Sequence, residues 1–132
     1  RPGDDEVRLM SFLERAHDEP LLYKNTRNSF TSTDLHERLQ AIGVKRLVIA
    51  GISTEQCCET TTRVAADLGY DADFVTEATL TFPIVNGQTG EELSATDIIR
   101  RTEFVLRGRF ARIATVRDLQ FELEGVAAQS RT

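Results

Sequence analysis

The sequence predicts an α/β fold, a doubly wound parallel sheet with helices on both faces. Three observations predict it. Short apolar runs at Leu47–Ala50, Phe74–Thr76 and Ile113–Thr115 alternate with segments of helical periodicity. The run Leu47-Val48-Ile49-Ala50 is continuously apolar, as expected of a strand buried on both faces of a parallel sheet. The 132 residues contain no internal repeat, low-complexity tract or linker, so residues 1–132 read as one domain.

Taken in order, Asp4–Ala16 predicts a helix, with acids in its first turn and Val7, Met10 and Leu13 at helical spacing. Pro20 breaks that pattern, and Leu21-Leu22-Tyr23 reads as a short strand ending at Lys24, followed by the polar loop 25–32. Thr33 is a candidate N-cap for a helix that carries Leu35, Leu39 and Ile42 on one face and stops at Gly43. After the Leu47–Ala50 strand and a tight connection at Gly51–Ser53, Thr54 can cap a helix Glu55–Leu68 that ends at Gly69. Phe74-Val75-Thr76 is the next strand. Thr79–Gly90 reads as a loop, with Pro83 and the Asn86-Gly87 turn signal inside it. Ser94-x-x-Asp97 opens a helix to about Leu106, Ile113–Thr115 is a last strand and Val116–Leu123 a last helix.

Composition narrows the function. A net charge of −5 argues against a nucleic-acid partner, and no apolar run is long enough to span a bilayer or form a signal peptide. The two cysteines, Cys57 and Cys58, are adjacent and form no disulfide framework, so a reducing, cytoplasmic setting is expected. No Gly-rich phosphate loop occurs, and His17 and His36 stand at no ligand spacing to the cysteines, so neither cofactor nor metal is expected. Arginines 100, 101, 107, 109, 112 and 117 read as solvated faces or an oligomer contact.

In open α/β sheets, ligands bind beyond the carboxyl ends of the strands, which directs attention to Lys24, Gly51–Cys57 and Thr76–Thr79. With Thr54 as N-cap, Cys57 is the third helical position, where backbone N–H groups lack intrahelical partners. A thiol placed there is shifted toward the nucleophilic thiolate, and the free N–H groups can receive an oxyanion. A helix cysteine can equally be a small core residue, which is the expectation for Cys58, about 100° away and in line with Ala65. Lys24 reads either as a surface charge or as a cation that stabilises the thiolate.

Lys24-Asn25-Thr26-Arg27-Asn28-Ser29-Phe30-Thr31-Ser32-Thr33-Asp34-Leu35 resembles the "K, then S-x-F, then T-x-L" block of the isochorismatase-like cysteine hydrolases. Gly51-Ile52-Ser53-Thr54-Glu55-Gln56-Cys57-Cys58-Glu59-Thr60-Thr61 resembles that family's "G-h-x-T-x-x-C-h-x-x-T" signature, where h is apolar. Leu68-Gly69-Tyr70 and Phe74–Ala78 match its continuation, with Glu77 in place of the usual Asp. The likeness runs from about Leu21 to Thr115.

The resemblance implies a six-stranded, Rossmann-like three-layer α/β/α fold and an Asp–Lys–Cys triad. Cys57 stands at the nucleophile position and Lys24 at the triad lysine. A cis peptide before Ser53 is implied as well, with the Ser53 and Cys57 N–H groups forming the oxyanion hole. Phe30, Ile52, Phe82 and Glu77 are pocket candidates. Relatives that hydrolyse the vinyl ether isochorismate usually lack the cysteine, so hydrolysis of a C–N bond in a small amide or ureido substrate is expected, through a Cys57 thioester. The metal-ligand histidines of nicotinamidases have no match before Lys24, and neither does the triad Asp. The expectation is therefore a domain without its N-terminal strand–helix–strand, whose Leu47–Ala50 strand shows an apolar edge. The absence of an initiator Met at Arg1 points the same way. The other readings are a non-catalytic binding or interaction subunit, a vinyl-ether hydrolase, and a flavodoxin-like domain, whose acidic or phosphate-binding residues have no match. Homo-oligomerisation is expected.

Overall fold

Asp71–Leu80 (β2) is the strand on which the others are hung. The computed structural model describes residues 8–131 and places β2 in the middle of a three-stranded parallel sheet, between β1 (Arg46–Ile52) and β5 (Arg112–Ile113). Neighbouring side chains of a strand point to opposite faces, and β2 uses both. Phe74, fully buried, packs with Ile49, Cys58 and Leu106 on the face covered by α2 (Glu59–Asp67) and α3 (Ala95–Leu106). Asp73 points the other way, toward α4 (Val116–Ser130). Its nearly buried carboxylate accepts from Arg46 Nε at 2.6 Å and Arg112 Nε at 2.7 Å, and both arginines also reach Glu122 of α4. The helices thus lie on both faces, as the sequence predicts.

The register of β1 on β2 explains where the site forms. Ile49 lies opposite Phe74, but Gly51 lies opposite Thr79, so Val75–Ala78 bulge out against Ala50 alone. Beyond the bulge Ile52 meets Leu80, which extends β2 past the Phe74–Thr76 run read from the sequence. The following segment contains a small antiparallel hairpin, β3 (Ile84–Val85) with β4 (Glu92–Leu93), around the predicted Asn86-Gly87 turn.

The helix starts follow from their caps. Ser94 accepts the Asp97 N–H at 3.1 Å, and Thr115 and Asp118 form a reciprocal capping box with both bonds at 3.0 Å. Nothing after Leu123 forbids a helix, so α4 continues to Ser130. In α1 (Leu35–Ala41) the cap residue is Asp34 rather than Thr33, although the Thr33 hydroxyl still accepts the Leu35 N–H at 3.2 Å.

Three expectations are corrected. Residues 4–7 of the predicted first helix lie outside the described residues, and 8–16 form no helix, only a turn at Ser11–Phe12, with Leu9, Met10, Phe12 and Leu13 exposed. An apolar face with nothing to pack on does not hold a helix. Leu21–Tyr23 has no ladder partner among the described residues and is not a strand there. Among the described residues β1 is the edge of the sheet, so the Leu47–Ala50 strand is not covered on both faces here: Ile49 is buried but Val48 is 56% exposed.

Because Phe74 is fully buried in the packed face, Phe74→Ala should cost about 3–5 kcal/mol in urea unfolding. Ile42→Ser, at an exposed position after α1, should change stability by no more than about 0.5 kcal/mol.

Candidate active site

The site is built where β1 turns into the next helix, at the carboxyl edge of the sheet. Gly51 takes φ +131, a conformation that side-chain-bearing residues rarely adopt, and the Ile52–Ser53 peptide is cis. Ser53 is then extended and caps a single π-helical turn, Thr54–Cys58, that leads into α2. The Ser53 carbonyl accepts the Gln56 N–H at 3.3 Å and the Cys58 N–H at 3.2 Å, and the intervening Cys57 N–H is not among its donors. Cys57 is therefore the fourth residue after the cap, still in the first turn, rather than the third.

Thr54, expected as the cap, is fully buried instead. Its hydroxyl lies 2.7 Å from that of Thr79, which donates to the Thr76 carbonyl inside the β2 bulge at 2.8 Å. The bulge thus anchors the turn.

Lys24 arrives from the loop before α1. Its Nζ lies 3.4 Å from Cys57 Sγ and donates to the Thr26 carbonyl at 2.8 Å. That loop is fastened to the cysteine helix at two points. Ser29 donates its N–H to Thr61 Oγ1 at 3.1 Å, and Arg27 Nε donates to Gln56 Oε1 at 3.2 Å. Lys24 and Cys57, 33 residues apart in sequence, are thereby brought together.

A mostly apolar cavity of about 330 Å³ opens beside them, lined by Lys24, Phe30, Ile52 and Cys57 together with Leu35, Leu39 and β1. Two other pocket candidates lie elsewhere. Phe82 is 66% exposed and does not line the cavity. The Glu77 carboxylate accepts the Val116 N–H at the start of α4, where a helix N-terminus favours an anion. A larger cleft of about 870 Å³, containing Arg46, Arg107, Arg109 and Arg112, lies at the amino-terminal ends of the strands, away from the cysteines.

Three further buried or half-buried groups support the site, through contacts that the sequence did not show. Glu55 accepts the Ser53 hydroxyl at 2.7 Å and the Thr81 hydroxyl at 2.6 Å. Burial opposes its ionisation, but those hydrogen bonds outweigh burial and hold the carboxyl below its ordinary range. Glu59, buried behind Cys58, is held by Arg63, Arg101 and Thr102. Thr61 ties the lysine loop to α2. A first-turn acid such as Glu55 is a readable signal, but its partner Thr81 is not.

The adjacent cysteines have different surroundings. Cys57 is half-buried and faces Lys24, whereas Cys58 is 4% exposed in the core. Burial first, then Cys57 and Glu55, push the Cys58 thiol up to about 11. No cluster of three or more His, Cys, Asp or Glu side chains suited to a metal occurs among the described residues. His36 Nδ1 lies 2.7 Å from the Tyr70 hydroxyl.

Two outcomes follow. Iodoacetamide at about pH 8 should label Cys57 and leave Cys58 unmodified in the folded protein, read by peptide mass spectrometry. A carboxyl held below its ordinary value contributes stability above that value, 4.5 for Glu55, and loses it as the pH falls. Melting temperatures between about pH 3 and 6 should therefore fall less steeply in Glu55→Gln than in the wild type.

The described residues contain no helix long and apolar enough to cross a membrane. A model of the isochorismatase domain matches residues 1–97. An uncharacterised isochorismatase family protein of Bacillus subtilis, YrdC, is 28% identical over 118 residues, covering 89% of this chain and 63% of that protein. Nicotinamidase 3 of Arabidopsis thaliana is 44% identical over 64 residues, 48% of this chain and 32% of that one. The chain thus spans less than two thirds of the length of either relative. A cysteine hydrolase from Pseudomonas syringae superposes with a TM-score of 0.88 at 23% identity, covering 94% of this chain and 58% of that structure, which shows a shared fold. With most of its length matched by the family model, this chain belongs to the isochorismatase family.

Proposed function

We propose that the protein is a cysteine hydrolase that opens a C–N bond of a small amide or ureido compound. The observation that carries this reading is the 3.4 Å approach of Lys24 Nζ to Cys57 Sγ at the start of a helix. An ammonium beside the sulfur can balance the negative charge of a sulfur nucleophile, and the start of the helix lies at the same place.

In this mechanism the Cys57 thiolate attacks the substrate carbonyl, and the N–H groups of Ser53 and Cys57 hold the oxyanion. Collapse expels the amine, which takes the proton released by the thiol, and water then hydrolyses the thioester. The proton carrier is a carboxylate from outside the described residues, since among these Lys24 enters no ion pair. The apolar cavity of about 330 Å³ suits a small, weakly polar substrate. The similarity to the plant nicotinamidase supports an amide. The same proposal includes a further strand on β1, which would bury the open apolar edge around Val48 and bring the missing acid to the sheet.

Turnover against a panel of small primary amides and ureido acids, nicotinamide included, tests the reading by ammonia release. Cys57→Ala should lose at least about 1,000-fold in kcat/KM, and Lys24→Met about 100-fold or more. Turnover retained in Cys57→Ala sinks the mechanism.

A further inference from the structure

Glu55 stands two residues before Cys57, and its carboxylate reaches the segment after β2. It accepts the hydroxyl of Thr81, the residue after β2, at 2.6 Å and that of Ser53, in the turn bearing Cys57, at 2.7 Å. Gln56 extends the chain of bonds. Its Nε2 donates to Glu55 at 3.3 Å, while its Oε1 accepts from Arg27 at 3.2 Å, three residues after Lys24. One carboxylate therefore joins the three segments that make the site: the β1–α2 turn, the end of β2 and the lysine loop.

We propose that Glu55 is a positioning residue, whose carboxylate fixes the Ser53 turn against β2 and, through Gln56 and Arg27, holds Lys24 against Cys57. The inference rests on the reading of Lys24 and Cys57 as the reacting pair. The attraction of a helix N-terminus for anions accounts for an acid in this turn, but not for its reach to Thr81. The Glu55 charge, two residues away in sequence, would by itself repel negative charge on Cys57. Positioning and repulsion thus act on Cys57 with opposite signs. Among the described residues, the charged groups near this turn are Lys24 and Glu55, with Arg27 beyond Gln56 and the Cys58 thiol behind.

The rate of iodoacetamide alkylation of Cys57 at about pH 7 separates the two effects. Cys58 serves as an internal reporter, unlabelled while the fold is intact. Glu55→Gln should slow Cys57 by about three- to tenfold as Lys24 loses its hold. Thr81→Val, which leaves the charge of Glu55 in place, should slow it in the same direction by a smaller factor. A faster reaction in Glu55→Gln with no change in Thr81→Val overturns the proposal and makes Glu55 a bystander charge. If Cys58 becomes labelled in Glu55→Gln, that variant has opened, and the direction of change in Thr81→Val decides. Lys24→Met in the otherwise wild-type protein should itself slow Cys57. If it does not, the Lys24–Cys57 pairing fails, and the positioning role fails with it.

Discussion

Phe74, in the middle of β2, fastens this structure together: the ring is fully buried against Ile49 of β1, Cys58 at the head of the cysteine helix and Leu106 at the end of α3. Its neighbour Asp73 does the complementary work on the opposite face, drawing Arg46 and Arg112 together over α4. The apolar contact supplies burial, which scales with area removed from water. The ionic one satisfies a carboxylate that would be costly to bury alone. With both faces of β2 committed, the carboxyl ends of β1 and β2 have fixed relative positions, and the turn after β1 inherits them.

The bulge opposite Ala50 converts this rigidity into a site. It lets β1 and β2 re-pair at Gly51 and Thr79, places Thr79 against Thr54, and so fixes the first turn of the helix that carries Cys57. The lysine loop is less deeply anchored. It reaches the helix through Ser29–Thr61 and Arg27–Gln56, and Lys24 itself is exposed. The nucleophile side of the pair is thus held by the core, and the cation side by a few polar bonds at the surface. Site elements of the second kind open at lower free energy than core elements.

Local patterns were legible where a few adjacent residues decide the outcome. The Ser94–Asp97 cap, the Asn86-Gly87 turn and the burial of Cys58 all follow from short-range chemistry. The two blocks around Lys24 and Cys57 were legible as a family pattern, with the cis peptide before Ser53. The predicted first helix and the Leu21–Tyr23 strand failed because both need a partner surface, which residues 8–131 do not offer them. That Phe82 stays exposed and that Glu77 meets the start of α4 was not legible, because both depend on contacts, or their lack, with elements distant in sequence.

The sequence alone therefore determined the alternation of the later strands and helices, the Ser94 cap, the Asn86-Gly87 turn, and the residue types assembled around Cys57. Tertiary structure decided that Lys24 reaches within 3.4 Å of that sulfur, that Thr54 is an anchor rather than a cap, and that Glu55 faces Thr81. The division has a physical cause. Caps and turns are set by hydrogen bonds between residues a few positions apart, whereas Lys24 and Cys57, or Glu55 and Thr81, meet only after the chain has closed loops of 33 and 26 residues.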